Sequence, residues 1–359
     1  MTAASTSIDE AYRARFPGSQ VLYERAKDLM PSGINHDVRR IDPFPVYIER
    51  ALGARKWDVD GNELIDYAVG HGGLILGHNH PVVLRAMLEQ AAKVTHASAP
   101  TPNEVRWAEL VTQLVPCAEK VRFVLSGTEA TMLAMRLVRA YTGKTMIVKV
   151  DGHFHGWHDY ALAHFLPPFD VPSSSGIPEE ARGTLRPVPL DDLDAMERAL
   201  AVGDVAGVIL EADGPVVGTV PVREGYLKGV RELTRRYDVP LIFDEVVTGF
   251  RLSPGGAQQY FGVTPDLATY AKIIGGGAPS GAVAGRADIM DGLAFRDDPD
   301  WNRRGRVAHL GTYSAYPVAA AAGSAALELL ADGTVQDQTA ALADRLPQDH
   351  ARGHAFDCG

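Results

Sequence analysis

One lysine stands in a sequence context that suits covalent chemistry of an amine. Lys272 lies in the stretch 271–277 (AKIIGGG), among apolar residues and just before three glycines. Most of the 35 lysine and arginine side chains of the chain are expected to be solvated surface groups. Apolar surroundings, in contrast, desolvate an amine and lower its pKa, which Schiff-base chemistry requires. The glycines allow the backbone to lie close to a flat ligand. The pattern therefore predicts a Schiff-base lysine at position 272.

A carboxylate is placed where it could act on such a ligand. Asp244 follows directly after the apolar run Val239 to Phe243, and Glu245 comes next. An acid at this position is often only a solvated strand end. Beside an aromatic nitrogen heterocycle, a buried carboxylate would instead keep the ring nitrogen protonated and make the ring an electron sink.

A candidate anion site lies between a strand ending at Leu125 and a helix beginning near Ala130. The sequence there is Ser126-Gly127-Thr128-Glu129. Free N–H groups at a helix N-terminus, a glycine and two hydroxyl groups are suited to a phosphate. The simpler interpretation is an ordinary Ser/Thr helix cap.

Three histidines and two aromatic residues share the segment 153–158 (HFHGWH). The histidines suggest a metal, but no carboxylate or cysteine stands at a characteristic ligand spacing, so we expect no metal site. A flat side chain such as Phe154, stacked on a heterocycle, fits the segment better.

The elements that must position these residues alternate between short apolar runs and helix-length segments. This alternation predicts an α/β fold with a mostly parallel sheet flanked by helices, and ligands bind such sheets outside the carboxyl ends of the strands. The predicted strands are 121–125, 146–150, 205–210, 239–243 and 267–270, and the predicted helices are 81–92, 102–114, 130–141 and 318–330.

The two ends of the chain and one internal stretch follow other patterns. Residues 8–29 predict one helix, and residues 46–64, with an Asp60-Gly61 turn, predict a hairpin. Residues 166–189, rich in Pro, Ser and Gly, predict a long surface loop. Residues 339–346 predict a weak helix, whereas 347–359 show neither strand nor helix periodicity.

Composition excludes several classes of function. The chain has 359 residues, 46% hydrophobic and 22% charged, and a net charge of −10 with no basic block, which argues against nucleic-acid binding. We expect no secretory signal at the N-terminus and no membrane span, because the apolar runs are too short. Two cysteines provide no disulfide framework. These features predict a cytoplasmic protein that does not bind membranes.

Taken together, the motifs resemble those of the class III, fold-type I pyridoxal-phosphate aminotransferases, most closely the glutamate-1-semialdehyde 2,1-aminomutase branch. The resemblance covers roughly residues 20–330 and rests on six stretches: 57–62 (WDVDGN), 75–81 (ILGHNHP), 126–130 (SGTEA), 242–251 (IFDEVVTGFR), 272–277 (KIIGGG) and 311–314 (GTYS).

The resemblance implies pyridoxal 5'-phosphate as cofactor and assigns roles within its site. Lys272 would form the Schiff base and move the proton, and Asp244 would pair with the pyridinium nitrogen. The phosphate would be held by Ser126, Gly127 and Thr128. The remaining cofactor-binding residues would be Phe154 on one ring face, Val246 on the other, His155, and Thr312 at the phosphate of the neighbouring subunit.

The same resemblance implies substrate-binding roles, partners and domains. Arg39, in the stretch 31–39 (PSGINHDVR), and Glu211 would contact the substrate, and the partners would be a small-molecule amino donor and acceptor within a homodimer that shares its active sites. The expected domains are an N-terminal segment with the small-lobe hairpin (1–65), a large cofactor-binding domain (66–330) and a truncated C-terminal remnant (331–359). A truncated lobe would leave apolar surface exposed and weaken both solubility and activity.

Three departures from the family pattern limit the choice of substrate. The family's Glu-Pro is Glu211-Ala212 here, an expected asparagine is Val216, and the family's Asn-Pro is Tyr316-Pro317. We therefore expect an aminotransferase acting on a carboxylate-bearing amine or β-amino acid. The alternatives are an intramolecular aminomutase, a racemase or decarboxylase, and a degenerate relative that binds cofactor without turnover.

Overall fold

The computed structural model describes residues 7–214 and 220–351, with side chains described as far as Arg345. The departure at Val216 lies outside the described residues. The chain forms two compact units. One contains the residues up to His71 together with Leu76–Pro81, and the other contains Gly72–Ile75 and the residues from Val82 onward.

The described helices and strands alternate along most of the chain. The helices are α1 (Ile8–Arg15), α2 (Pro17–Lys27), α3 (Val69–Gly72), α4 (Pro81–Lys93), α5 (Pro102–Leu114), α6 (Gly127–Thr142), α7 (Glu179–Arg182), α8 (Leu193–Ala201), α9 (Tyr226–Arg236), α10 (Gly256–Phe261), α11 (Ala287–Met290), α12 (Pro317–Leu330) and α13 (Thr334–Ala351). The strands are β1 (Ile48–Leu52), β2 (Arg55–Asp58), β3 (Glu63–Ile65), β4 (Lys120–Val124), β5 (Met146–Val150), β6 (Leu185–Val188), β7 (Val205–Glu211), β8 (Leu241–Asp244), β9 (Leu267–Ala271) and β10 (Gly281–Gly285).

The first unit contains a three-stranded antiparallel sheet, in the order β1-β2-β3. The expected turn joins β2 to β3. Gly61 has a φ of 85°, and the buried Asp58 carboxylate accepts hydrogen bonds from the backbone of Asp60 and Asn62. The single helix predicted for 8–29 is wrong. It breaks into α1 and α2 at Phe16, because Pro17 starts a new helix and lacks the N–H that continuation would need.

The second unit is built on a seven-stranded sheet in the order β4-β10-β9-β8-β7-β5-β6. The predicted mostly parallel α/β sheet is confirmed, since only β10 runs antiparallel to its neighbours β4 and β9. Every residue of β7, β8 and β9 is buried, which is why these strands read as continuous apolar runs. Helix α6 packs against β7, β9 and β10 and closes one face of the core.

Two predictions about irregular segments are corrected by the structure. The loop predicted for 166–189 contains α7 and the edge strand β6, whose Leu185-Arg186-Pro187-Val188 pairs with β5. The end of the chain is more helical than expected. Helix α13 runs from Thr334 to Ala351 and so includes Pro347, where the sequence showed no helical periodicity.

Among the described helices, none by itself has the length and apolar composition to cross a bilayer. Helix α12 and the first part of α13 satisfy that criterion only as a pair, across a bend of 69°.

Candidate active site

The carboxyl ends of three central strands carry the polar side chains that the sequence singled out. Glu211 ends β7 and Asp244 ends β8, and they lie in register with each other and with Thr269 of β9. Lys272 follows directly after β9. Because these strands are parallel neighbours, residues far apart in sequence meet at one sheet edge.

Lys272 is held in a conformation that the sequence did not foretell. Its φ is 56°, in the left-handed region that a residue with a side chain rarely adopts, and it begins a short 3-10 turn. Burial lowers the pKa of Lys272, and the Asp244 carboxylate counteracts that effect in part. In the part of the chain that the structure describes, its amine makes no hydrogen bond or ion pair. The amine is therefore desolvated and available for reaction.

Asp244 is a buried acid. Of the two interpretations that the sequence allowed, the structure therefore excludes the solvated strand end. One carboxylate oxygen, Oδ2, lies 2.7 Å from Nδ1 of His155. The other, Oδ1, accepts hydrogen bonds from the Val246 backbone N–H and the Thr269 hydroxyl, each at 3.1 Å. These contacts fix the plane of the carboxylate. Burial lowers the pKa of His155 and so favours its neutral form, and among the described residues no other basic side chain contacts the Asp244 carboxylate.

The candidate anion site has the expected position at the start of α6. Ser126 is the N-cap residue and accepts a hydrogen bond from the Glu129 N–H, so the simpler reading as a helix cap holds as well. The Gly127 and Thr128 N–H groups lie in the first turn, where no intrahelical acceptor exists. A side chain at Gly127 would come within 3.0 Å of Val246 and 3.5 Å of Ala271. The helix start thus lies against the strand ends that carry Asp244 and Lys272.

The aromatic and histidine segment closes onto the same region. Phe154 is partly buried, its backbone N–H donates to Oε1 of Glu211 at 2.6 Å, and its ring packs on Phe165. Gly156 adopts a φ of 95°, and a Cβ there would lie 2.8 Å from Cα of Thr128. The segment therefore contacts the start of α6 so closely that only glycine fits.

Sequence reasoning missed a second buried lysine, Lys149 of β5. Its side chain is fully buried and donates to the backbone carbonyls of Ala161 (2.9 Å) and Ala163 (2.5 Å), which fastens the segment that carries Phe154 and His155. Burial lowers its pKa to about 8. A lysine inside the apolar run 146–150 (MIVKV) was the signal available in the sequence.

Arg251, the last residue of the stretch 242–251, contributes to the electrostatics at Lys272. Its guanidinium donates to the carbonyls of Val247 and Gly72, burial lowers its pKa, and its positive charge in turn lowers the pKa of Lys272.

Two further residues that the sequence placed at the site, Thr312 and Arg39, are exposed. Thr312 is exposed, and its carbonyl lies 3.0 Å from Nε2 of His96. Arg39 belongs to the first unit, at the end of an exposed 3-10 turn, Asp37–Arg39. Within residues 7–214 and 220–351, no three His, Cys, Asp or Glu side chains are arranged to hold a metal ion.

The residues present fit pyridoxal phosphate. The aldehyde, ring nitrogen and phosphate of this cofactor require three groups, and the site offers each of them. They are a desolvated amine without a partner among the described residues (Lys272), a buried and oriented carboxylate (Asp244), and free N–H groups at the start of a sixteen-residue helix. When bound, the cofactor supplies an aldehyde for the amine and a pyridine ring that accepts electrons.

Comparison with known proteins agrees with this geometry. The model of the family "Aminotransferase class-III" matches residues 37–352. A glutamate-1-semialdehyde 2,1-aminomutase from Methanothrix thermoacetophila is 46% identical over 320 residues, which are 88% of this chain and 73% of that protein.

Solved structures extend the likeness to the fold. An omega-transaminase from Sphaerobacter thermophilus superimposes with a TM-score of 0.82 at 37% identity, covering 89% of this chain and 74% of that one. A transaminase with pyridoxal phosphate bound gives 0.81 at 34% identity, covering 88% and 74%. The chain therefore belongs to the class III aminotransferase family of pyridoxal-phosphate-dependent enzymes.

Proposed function

We propose that the protein is an aminotransferase that moves an amino group between a carboxylate-bearing amine or amino acid and a keto acid or aldehyde. The observation that carries the proposal is the partly buried amine of Lys272, which has no partner among the described residues and whose pKa is raised by the charge of the oriented Asp244 carboxylate. An amine in this state is poised both to form a Schiff base and to accept a proton at Nζ.

The other residues take the roles that the family resemblance implies. Asp244 holds a proton on a ring nitrogen, since its charge is buried and oriented. The Ser126, Gly127 and Thr128 backbone binds a phosphate, and Phe154 covers a ring face opposite Val246. Glu211 shapes the substrate side of the pocket through its hydrogen bond to the Phe154 N–H, and Arg39 binds a substrate carboxylate.

Intramolecular amino transfer is the second candidate, because curated relatives 42–46% identical are glutamate-1-semialdehyde 2,1-aminomutases. The departures at Glu211-Ala212 and Tyr316-Pro317 favour a different substrate. In the structure Tyr316 immediately precedes α12, and its ring packs edge-on to Tyr313. An aromatic side chain, Tyr316, therefore stands where the family has asparagine, whereas the family's proline is kept as Pro317.

We further propose that the enzyme is a cytoplasmic homodimer with shared sites. Leu310 and Tyr313, which flank Thr312, have exposed fractions of 90% and 51%, as expected for residues that a second copy would cover. In such a dimer Thr312 reaches the phosphate in the neighbouring subunit. Sedimentation of the loaded protein tests this assembly, and a monodisperse monomer with full activity would contradict it.

The reaction is tested by a single-turnover titration. The loaded enzyme is mixed with one amino donor at a time, from a panel of α-amino acids, β-amino acids and amines, without an acceptor. Aminotransferase activity gives bleaching of the visible absorbance, one keto product per site, and recovery of the absorbance on addition of a keto acid. Conversion of glutamate 1-semialdehyde without an acceptor, and no keto product from any donor, would establish the aminomutase instead.

A further inference from the structure

Three histidines of the segment 153–158, two of them buried and the third, His158, partly buried, each carry a buried ring nitrogen without a partner among the protein atoms of the described residues. These atoms are Nε2 of His153, Nε2 of His155 and Nδ1 of His158. His153 and His155 are at most 1% exposed. A buried polar atom without a partner destabilises the fold, so three of them in one segment indicate a bound ligand.

Hydrogen bonds on the opposite ring nitrogens fix the tautomers. Nδ1 of His153 accepts the Glu211 N–H at 2.8 Å, so its proton sits on Nε2. An ionised carboxylate can only accept hydrogen bonds, so the Nδ1–H of His155 donates to Asp244. In the neutral ring, Nε2 of His155 then carries a lone pair and acts as an acceptor.

The tautomer of His158 follows from Thr131. The Thr131 hydroxyl lies 2.5 Å from the His155 carbonyl and donates to it, which leaves the hydroxyl oxygen to accept from Nε2–H of His158 at 3.2 Å. Nδ1 of His158 then carries a lone pair and acts as an acceptor. The three unpartnered atoms are one donor and two acceptors.

All three rings are neutral near pH 7. Burial lowers the pKa of His153 to about 2 and that of His158 to about 4, and it also lowers the pKa of His155 despite the nearby Asp244 carboxylate. The buried ammonium of Lys149 adds to the effect on each ring. A metal ion does not suit this set, because His153 already accepts at Nδ1 and would have to lose its remaining proton to become a ligand.

We propose that the three rings bind one internal water molecule, which accepts a hydrogen bond from Nε2–H of His153 and donates to Nε2 of His155 and Nδ1 of His158. A buried water typically makes about three hydrogen bonds, and here it matches the one donor and two acceptors. The His153 and His155 ring centroids lie 6.0 Å apart at an interplanar angle of 67°, and their nitrogens make no direct hydrogen bond.

The water gives His153 a role at Asp244 that its position alone does not suggest. By occupying the Nε2 lone pair of His155, the water keeps that ring in its Nδ1–H form and neutral. Asp244 then receives a hydrogen bond without losing its negative charge. His153 acts as a positioning residue through the water and His155. The water site itself does not depend on the proposed reaction, and its test uses no substrate.

The test compares the loaded wild-type enzyme with His153→Phe. The control is His164→Phe, because His164 is a partly exposed histidine outside the segment 153–158 that pairs with Asp151. Crystal structures that resolve ordered water should show one peak within hydrogen-bond distance of the three nitrogens in the wild type and in the control, and none in His153→Phe. Imidazole ¹⁵N spectra should show His155 becoming doubly protonated at a higher pH in His153→Phe only.

A second variant, His153→Gln, separates the proposal from simple loss of packing. Its amide N–H can donate in place of Nε2–H, so both the water and the wild-type ¹⁵N signals of His155 should be recovered. The proposal is overturned by a wild-type structure without this water, by a metal ion retained at the three nitrogens, or by unchanged His155 signals in His153→Phe.

Discussion

Nδ1 of His155 lies 2.7 Å from Oδ2 of Asp244, and the two side chains are only 0% and 4% exposed. Such a pair could be an ion pair or a neutral imidazole beside a charged carboxylate. Complete burial favours the second state, because it lowers the pKa of His155. Asp244 therefore remains the unneutralised charge at the end of β8, and a ring nitrogen placed there would be held protonated.

Replacing Lys272 by alanine should abolish covalent attachment of the cofactor while leaving non-covalent binding. Turnover should fall by many orders of magnitude, because both the Schiff base and the proton acceptor are lost. Borohydride reduction followed by peptide mass spectrometry should place the pyridoxyl group of the wild type on Lys272. Lys149 is the internal control, since its buried amine is already bonded to two carbonyls and should remain unmodified. An adduct on Lys149, or on any lysine other than Lys272, would refute the assignment.

Changing Asp244 to asparagine should lower kcat by about 100-fold or more with little effect on folding, because a preorganised charge is lost while the side-chain shape is kept. Kinetics and urea unfolding of the same variant measure the two effects. Asp266→Asn is the matched control. The Asp266 carboxylate accepts hydrogen bonds from Arg231, Arg286 and the Leu241 N–H. Removing its charge should therefore reduce the free energy of unfolding by about 3 kcal/mol. Near-normal turnover of Asp244→Asn would show that Asp244 has no role at a ring nitrogen.

Alanine at Gly156 should weaken cofactor binding by about 10-fold or more, equivalent to about 1.4 kcal/mol. Its Cβ would lie 2.8 Å from Cα of Thr128, so the segment with Phe154 must move away from the start of α6. Gly143→Ala is the control. Gly143 also has a positive φ, 69°, but has open space around it, so alanine there should cost about 1 kcal/mol of stability and leave affinity unchanged. Equal affinities for the two variants, measured by fluorescence titration, would argue against a phosphate site at Thr128.

Acid should destabilise the protein through its buried histidines. The pKa of His158 is about 4 in the folded chain and about 6.5 when unfolded, so between these values only the unfolded chain binds the proton. The free energy of unfolding therefore falls as pH falls from about 6.5 to about 4, by roughly 3 kcal/mol for this residue. Urea unfolding of the wild type and His158→Gln across that range is the measurement. The pH-dependent loss should be smaller in the variant, and parallel curves would contradict the prediction.

The sequence by itself determined the family and most of the sheet. Strand β5 and helix α5 have the predicted bounds, because a buried parallel strand is a continuous apolar run and a surface helix has an apolar period. The cofactor lysine could be recognised because Lys272 combines apolar neighbours with closely following glycines. Strands β6 and β10 were missed, since Pro187 and the four small residues of 281–285 (GAVAG) resemble loop composition.

Only the tertiary structure decided which polar groups face one another. Asp244, Glu211 and Lys272 are separated by up to 61 residues, and their proximity depends on the strand order β9-β8-β7, which no local pattern encodes. The burial of Lys149, the tautomers of His153 and His155, and the left-handed φ of Lys272 likewise follow from long-range packing. Hydrogen-bond partners and desolvation depend on which residues surround a side chain in the folded protein, whereas residue type and spacing can be read from the sequence.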